Sequence, residues 1–392
     1  ADFTARQLLA ELAGMTPNDT TQRLAAKIIF EGNPAPQSEF VYTDLSEMFP
    51  GYKHDFGKST YRGEETGEGG LVRATPGIYR NVKVFDVESM HPTSIEQLNL
   101  FGKYTKNFSD LKSARVAIKH GDYDKVRHMF EGKLAPYLKD ESSAKDLSYA
   151  LKIVINSVYG LSSAKFNNPF RDPRNVDNIV AKRGALFMID LWKALEERGV
   201  HIFHIKTDSI KIENPSEETE EFIHDFGKKY GYKFDVEDEY DRLCLVNDAV
   251  YVAKDYEGKW HATGAQFAEP YVFKRLFSKE AITFEDCCTQ RSVTTALYLD
   301  MGDDRDHDYR FIGKTGQFTP VTSGGGTLLR IKDDKYYAVS GTKGYKWVES
   351  ETFSADDRTS LKNVDRDVFE GLVDKARAQI EKFGDAEAFL ND

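Results

Sequence analysis

Residues 85–94 read FDVESMHPTS, and two further segments follow along the chain, KIVINSVYG at 152–160 and IKTDSIKI at 205–212. The first and third segments each place one aspartate, Asp86 and Asp208, in a short apolar, strand-like context that is followed by a turn. The middle segment places a lysine, an asparagine and a tyrosine along one helical stretch. Paired carboxylates suit divalent metal ions and a lysine suits a triphosphate, so the three segments together indicate phosphoryl transfer.

The order and content of these segments resemble motifs A, B and C of family B DNA polymerases, whose usual forms are DxxSLYPS, KxxxNSxYG and DTDS. The compact interval between the first two segments is most similar to the polymerases of tailed bacteriophages. The resemblance runs from about Gly69 to about Phe277, and more loosely to the C-terminus. It implies a DNA-dependent DNA polymerase that extends a primer, with primer–template DNA and dNTPs as its partners.

The resemblance also implies an α+β fold of right-hand architecture, with a palm made of an antiparallel sheet and helices, helical fingers and a thumb. The expected divisions are an N-terminal helical segment and loop (1–75), palm (76–96), fingers (97–160), palm again (161–277) and thumb (278–392). At the end of the first division, the glycine- and charge-rich stretch 51–76 is predicted to be a surface loop. Within the last, a hairpin turning at Asp333-Asp334 and a helix over 364–383 are predicted.

The composition of the chain is that of a soluble globular protein: 392 residues, 40% hydrophobic and 30% charged. No apolar run is long enough to cross a bilayer, and the first residues lack the layout of a signal peptide. The cysteines Cys244, Cys287 and Cys288 form no CxxC pair, so neither a zinc site nor a disulfide framework is predicted. We therefore expect a cytoplasmic protein without a membrane partner, in a bacterial host if the chain is phage-encoded.

Charge is distributed unevenly around a net value of −11. From Lys103 to Lys139 there are nine Lys or Arg residues against four Asp or Glu, whereas from Glu213 to Asp241 there are eleven acids against three lysines. A local basic cleft on an acidic body is typical of a protein that grips DNA or a triphosphate at one place. Ordinary scatter of charge explains the same pattern nearly as well.

The resemblance implies that Asp86 and Asp208 hold two Mg²⁺ ions, for which Mn²⁺ can substitute, and that the backbone carbonyl of Val87 is a further ligand. Two carboxylates at neighbouring strand ends repel each other, so such a pair persists mainly where a metal ion joins them. A lone aspartate in this position is more often a turn residue. Two aspartates inside matching motifs favour the metal site.

The nucleotide pocket is expected to be built by residues of the first two segments and of an earlier helix. Lys152, Asn156 and Tyr159 fall on one helical face, where the resemblance gives the lysine a phosphate and the other two the nascent base pair. Arg115 and Lys119, spaced i, i+4, take the place of the paired basic residues that bind the γ-phosphate in the family. A solvated helix face is the alternative for these two. Pocket-shaping roles are implied for Ser89, Met90 and His91.

Three departures from the family pattern concern sugar selection and the primer. His91 stands where a tyrosine excludes the 2′-hydroxyl, which predicts weaker rejection of ribonucleotides. Lys206 replaces the first aspartate of the third motif, and with Thr207 it is a candidate primer contact. The later KxY element is reduced to a stretch that ends at Tyr251. We hypothesise that Lys206 supplies the missing primer cation, while a simple offset of the acidic site is equally compatible with the sequence.

A fourth departure precedes the first motif, where Gly69 and Gly70 remain from the family's YxGG element without its tyrosine. Fewer than 70 residues precede this element, so we expect no proofreading exonuclease in this chain and allow for a separate exonuclease or processivity subunit. The short interval from Asp86 to Lys152 makes protein priming less favoured. The alternative function is a non-catalytic, polymerase-derived replication factor that binds primer–template and recruits partners.

Overall fold

Helices and antiparallel strands are both abundant along the chain, which confirms the predicted α+β class. The computed structural model describes residues 2–350 and 353–392. It divides into two units, one containing the residues up to Arg73 together with Lys83–Asp238, the other Ala74–Val82 together with Glu239–Asp392. Among the described residues, none of the helices combines the length and the apolar character that crossing a bilayer requires.

The first unit carries all three motif segments. Its helices are α1 (Asp2–Ala13), α2 (Thr21–Phe30), α3 (Met90–Gln97), α4 (Thr105–Lys119), α5 (Tyr123–Arg127), α6 (Glu141–Ser163), α7 (Ile179–Glu197) and α8 (Glu217–Lys229). Its strands are β1 (Lys53–Asp55), β2 (Lys58–Tyr61), β3 (Glu64–Thr66), β4 (Val72–Ala74), β5 (Gly77–Val87), β6 (Ile202–Lys206), β7 (Ser209–Glu213) and β8 (Phe234–Leu245). Strands β4, β5 and β8 also contribute residues to the second unit.

Strands β8, β5, β7, β6 and β4 lie side by side in that order in the first unit. Strand β5 is therefore flanked by two strands that are distant in sequence, and both the first and the third motif segments reach the same region of the sheet. Helix α7 is buried on most sides: fourteen of its residues are buried, among them the charged Lys182 and Arg183.

Helix α6 is amphipathic, and this property orients the second motif. Leu147, Leu151, Val154 and Val158 are buried at helical spacing, and the helix packs against α1, α2 and α4. The side chain of Asp140 caps the helix by accepting a hydrogen bond from the backbone N–H of Ser143. Burial of the apolar stripe leaves the other face of α6 exposed.

The predicted loop at 51–76 is wrong, because much of it forms the three-stranded antiparallel sheet β1-β2-β3. Two tight turns make this possible. In each turn a residue of positive φ precedes a glycine of positive φ, Phe56 (49°) before Gly57 (76°) and Arg62 (51°) before Gly63 (82°). Such pairs of left-handed residues match the twist of a two-residue hairpin, and glycine adopts them without steric cost.

The second unit contains a meander and a five-stranded sheet. Its further strands are β9 (Tyr251–Asp255), β10 (Trp260–Thr263), β11 (Thr289–Asp300), β12 (Tyr309–Pro320), β13 (Thr327–Lys332), β14 (Lys335–Ala338) and β15 (Tyr345–Trp347). Its helices are α9 (Ala265–Ala268), α10 (Pro270–Phe273), α11 (Ala355–Ser360), α12 (Arg366–Glu381) and α13 (Ala386–Asn391). The predicted hairpin at Asp333-Asp334 joins β13 to β14, and α12 lies within the predicted terminal helix.

Candidate active site

The first aspartate, Asp86, lies one residue before the end of strand β5. The chain then turns at Ser89, whose φ of 50° and ψ of 56° are left-handed, and helix α3 begins at Met90. The backbone N–H groups of Met90 and His91 belong to the first helical turn and have no acceptor within the helix. Because such groups bind anions, the turn presents hydrogen-bond donors beside the Asp86 carboxylate.

The second aspartate, Asp208, occupies the tight turn between β6 and β7. Lys206 pairs with Ser209, so the turn consists of Thr207 and Asp208, and Thr207 adopts a φ of 53°. The backbone N–H of Val87 donates a hydrogen bond of 2.8 Å to the carbonyl of Asp208. This bond joins the end of β5 to the turn and brings the two motif aspartates together.

Both aspartates line a cavity of about 620 Å³ in the first unit. Of the residues predicted from sequence, the cavity lining contains Asp86, Val87, Ser89, Met90, His91, Arg115, Lys119, Lys152, Asn156 and Asp208. Sequence reasoning missed four polar residues of the same lining, which are Glu88, His120, Asp235 and Glu237. The cavity therefore combines a carboxylate side with a cationic side.

On the carboxylate side of the cavity, the surroundings raise the pKa values of the carboxyl groups. Burial, together with the charges of Asp208 and Glu237, raises the pKa of Asp86 to about 7. Burial also raises the pKa of Asp208, and partial burial with the charges of Asp238 and Asp208 raises the pKa of Glu237. A divalent cation would relieve this repulsion, since it favours the ionised carboxylates.

The oxygen ligands of the cavity suit a hard divalent cation whose remaining coordination positions are filled by a substrate and water. No group of three or more His, Cys, Asp or Glu side chains placed to hold a metal is found within residues 2–350 and 353–392. Mg²⁺ is usually bound by one or two carboxylates together with substrate phosphates and water, rather than by an all-protein cage. Asp86 and Asp208 match that pattern, and the carbonyl of Val87 stays a predicted ligand.

We expect the metal-free protein to become more stable when Asp86 is replaced by asparagine. The folded-state pKa of about 7 lies above the ordinary value of 3.8, so above pH 7 the folded protein bears the full cost of the charge. As pH falls from 8 to 5 the folded state takes up a proton that the unfolded state lacks, so the cost decreases, and it disappears only below the ordinary pKa of 3.8. At pH 8 the expected gain for Asp86→Asn is about 2 kcal/mol, roughly half of the free energy that the full pKa shift corresponds to, because the carboxyl is only partly buried and solvent screens its charge.

Thermal unfolding of the two proteins in EDTA, at pH 8 and at pH 5, measures this difference. Mg²⁺ should stabilise the unmodified protein at pH 8 and stabilise Asp86→Asn much less. The exposed Asp225 provides the control, since Asp225→Asn should change neither the stability nor the response to Mg²⁺. A lower stability of Asp86→Asn at pH 8 would contradict the electrostatic account.

The cationic side of the cavity comes from two helices. Arg115 and Lys119 lie one turn apart on α4, and Lys152 and Asn156 lie one turn apart on the exposed face of α6. Burial lowers the pKa of Arg115, which the charge of Glu88 opposes, and the guanidinium Nε atom has no hydrogen-bond partner among the described residues. Cationic side chains in the same cavity as two carboxylates form an arrangement suited to a polyphosphate and its metal ions.

His91 and Tyr159 form a stacked pair between α3 and α6. Their ring centroids are 4.2 Å apart at an interplanar angle of 13°. Burial lowers the pKa of His91, whose Nδ1 atom has no hydrogen-bond partner in the described part of the chain. Asn178 donates a 3.3 Å hydrogen bond to the Tyr159 hydroxyl. Of the two stacked rings, His91 lines the cavity and Tyr159 does not. Tyr159 packs against the face of the His91 ring.

The predicted primer-contact residues fall into two groups. Gly70, with a φ of 144°, packs so closely on Thr207 that a Cβ added there would lie 3.0 Å from its Cγ2 atom. The backbone N–H of Thr207 donates to the carbonyl of Leu71. Gly69, Gly70, Lys206 and Thr207 are thereby gathered at the Asp208 turn, with Lys206 exposed. Tyr251 belongs to the second unit, where it begins β9.

The missed acidic residues carried a weak signal. Asp235 and Glu237 alternate along β8, so their side chains point to the same side of the sheet. In the sequence they stand within a generally acidic stretch, and nothing local separates them from the exposed acids around them. Their place beside Asp86 results from the pairing of β8 with β5, which is a long-range contact.

Comparison with known proteins supports the fold. Neither a protein-family model nor a curated protein sequence matches the chain. Among solved structures, the chain is similar to the family B DNA polymerase from the hyperthermophilic archaeon Pyrobaculum calidifontis, with a TM-score of 0.51 and 13% sequence identity. The match covers 96% of this chain and 53% of that chain, so this chain spans about half the length of the polymerase. The chain has a fold similar to that of a family B DNA polymerase.

Proposed function

We propose that the chain is a DNA-dependent DNA polymerase that extends a primer with dNTPs, and that its type is that of tailed bacteriophages. The observation that carries the proposal is the pairing of Asp86 with Asp208 in one cavity, opposite Arg115, Lys119 and Lys152. In this reaction the primer 3′-oxygen bonds to the α-phosphorus of the dNTP, and the bond from that phosphorus to the bridging oxygen breaks. Pyrophosphate leaves.

Asp86 and Asp208, with the Val87 carbonyl, would hold two Mg²⁺ ions. Held by these residues, the ions would supply positive charge that lowers the pKa of the primer hydroxyl and offsets charge on the transferring and leaving phosphates. The Val87 backbone N–H donates a hydrogen bond to the carbonyl of Asp208, so both carboxylates stay beside the end of β5, where the ions would bind. The backbone N–H groups of Met90 and His91 add hydrogen-bond donors for the triphosphate.

The cationic residues position the triphosphate for this displacement. Lys152 donates from the exposed face of α6, while Arg115 and Lys119 donate from α4. Asn156 lies one turn beyond Lys152, where it faces the nascent base pair. Holding the phosphates from two helices orients the α-phosphorus relative to the primer, which is the main contribution a protein makes to phosphoryl transfer.

The proposed thumb, palm and fingers follow the divisions predicted from the sequence, with α4, α5 and α6 as fingers. The acidic balance of the chain suits local contacts to primer–template DNA rather than nonspecific coating. A bacterial cytoplasm as the place of action, and a separate exonuclease or processivity subunit as a partner, rest on the resemblance alone.

Extension of a labelled primer on a DNA template, with dNTPs and Mg²⁺, tests the proposal. Products should follow the template sequence and should be absent when the template is omitted. A chain that binds primer–template tightly and yields no product would favour the non-catalytic replication factor. The observation that favours this second function is Lys206, which stands where the family has an aspartate.

Sugar selection gives a further prediction. The imidazole of His91, held flat against Tyr159, is shorter than a tyrosine side chain and leaves more space for a 2′-hydroxyl. We expect His91→Tyr to raise the preference for dNTP over rNTP by about tenfold, a change of about 1.4 kcal/mol. Steady-state kcat/KM values for the two nucleotides measure it. The exposed His128 is the control position, and an unchanged ratio in His91→Tyr would remove His91 from the sugar pocket.

A further inference from the structure

One carboxylate stands in the part of the cavity that is otherwise suited to phosphates. Glu88 follows the Asp86–Val87 pair, and its side chain is only 9% exposed. Its Oε2 atom lies 3.6 Å from His120 Nε2 and 3.7 Å from Lys233 Nζ. For the described residues, no hydrogen bond satisfies this buried oxygen. This oxygen therefore has unused hydrogen-bonding capacity, and Lys233 is a cation at ion-pair distance from it.

The cations around Glu88 include those assigned to the triphosphate. Glu88 lines the same cavity of about 620 Å³ as Arg115 and Lys119. Asp235 is the other acid in contact with it, from strand β8. Glu88 also lines a neighbouring cavity of about 370 Å³, together with His120 and Lys233. Glu88 therefore borders both cavities, beside the basic residues of each.

We propose that Glu88 occupies the outer phosphate subsite of the nucleotide-free protein and must be displaced when a triphosphate binds. The inference rests on the proposed function, because it assigns the cavity to a polyphosphate. Arg115 and Lys119 are like charges one helical turn apart, which repel each other when the subsite is empty. The Glu88 carboxylate offsets part of this repulsion until a ligand brings more negative charge.

Displacing the Glu88 carboxylate costs the same free energy for every ligand that fills the subsite. Glu88 therefore weakens the binding of each such ligand by a similar factor. Removing its charge should tighten the binding of tripolyphosphate and of pyrophosphate alike.

Binding of inorganic tripolyphosphate and of pyrophosphate, each with Mg²⁺ and without DNA, tests this by isothermal titration calorimetry. We expect Glu88→Gln to bind both tripolyphosphate and pyrophosphate about tenfold more tightly than the unmodified protein does. Glu96→Gln is the matched control. It removes a carboxylate that pairs with Lys112 of α4, the helix that also carries Arg115 and Lys119. The affinity for either ligand should change by less than about twofold.

Equal or weaker binding by Glu88→Gln would overturn the proposal, since the carboxylate would then be positioning the cations for the ligand. If Glu88→Gln does not fold, Glu88→Asp retains the charge and withdraws it by one methylene, so a gain of about threefold is expected. Tighter binding without any templated extension would retain the role of Glu88 and reject the polymerase. Failure of both proteins to bind either ligand would reject both assignments.

Discussion

Replacing Asp208 by alanine is expected to reduce templated primer extension by at least about a thousandfold, or about 4 kcal/mol of transition-state stabilisation. The carboxylate is one of the two that the bond between Val87 and Asp208 brings together, and no other predicted ligand can take its place on the tight turn. The loss should fall on kcat rather than on affinity for primer–template, because the substitution removes charge from the reacting centre.

Single-turnover extension and a separate measurement of primer–template affinity distinguish these effects. Asp225→Ala, at an exposed position of α8, is the matched control and should retain full activity. Activity of Asp208→Ala within tenfold of the unmodified protein would refute a metal role for this residue. Loss of both activity and DNA affinity would indicate that the substitution had destabilised the fold, which a lower thermal unfolding temperature would reveal.

Replacing Lys152 by alanine is expected to lower kcat/KM for dNTPs by about a hundredfold, equivalent to about 2.7 kcal/mol. The ammonium group projects from the exposed face of α6 into the cavity, and the buried stripe beneath it fixes the helix. Since the side chain is exposed and makes no contribution to the buried face, the protein should fold normally. Primer–template affinity should be unchanged.

Lys145 offers a control on the same helix, because it is also exposed and lies outside the cavity lining. Lys145→Ala should retain the dNTP kinetics of the unmodified protein. A KM for dNTP that stays within about twofold in Lys152→Ala would exclude Lys152 from the triphosphate site. The measurement therefore separates a phosphate ligand from a solvated helix face.

The residues that could be predicted from the sequence are those whose position depends on local structure. Asp86 precedes a turn and helix, Asp208 sits in a tight turn, and Lys152 and Asn156 share a helical face, so the segments themselves dictate how these side chains point. The hydrophobic stripe of α6 was also readable, because its period matches a helix. Their meeting in one cavity was implied by the resemblance alone.

The rest of the site depends on contacts between distant segments. Glu237 reaches Asp86 because β8 pairs with β5, and the stack of His91 on Tyr159 requires α3 and α6 to meet. The sheet β1-β2-β3 was missed for a different reason. Its turns at Phe56-Gly57 and Arg62-Gly63 lack the asparagine or aspartate that usually marks such hairpins, and its short strands resemble a polar loop.

The hairpin that carries Asp208 constrains how this gene can diverge. Its turn has two residues, and Ile210 and Ile212 are buried on the strand that follows. One inserted codon would shift the register and move those side chains to the opposite face, whereas a changed codon at 206 leaves the register intact. We therefore expect related sequences to differ from this hairpin by substitutions and not by insertions. Distant relatives whose motif residues have changed can therefore be sought by the constant number of residues between the turn and the buried positions of the following strand.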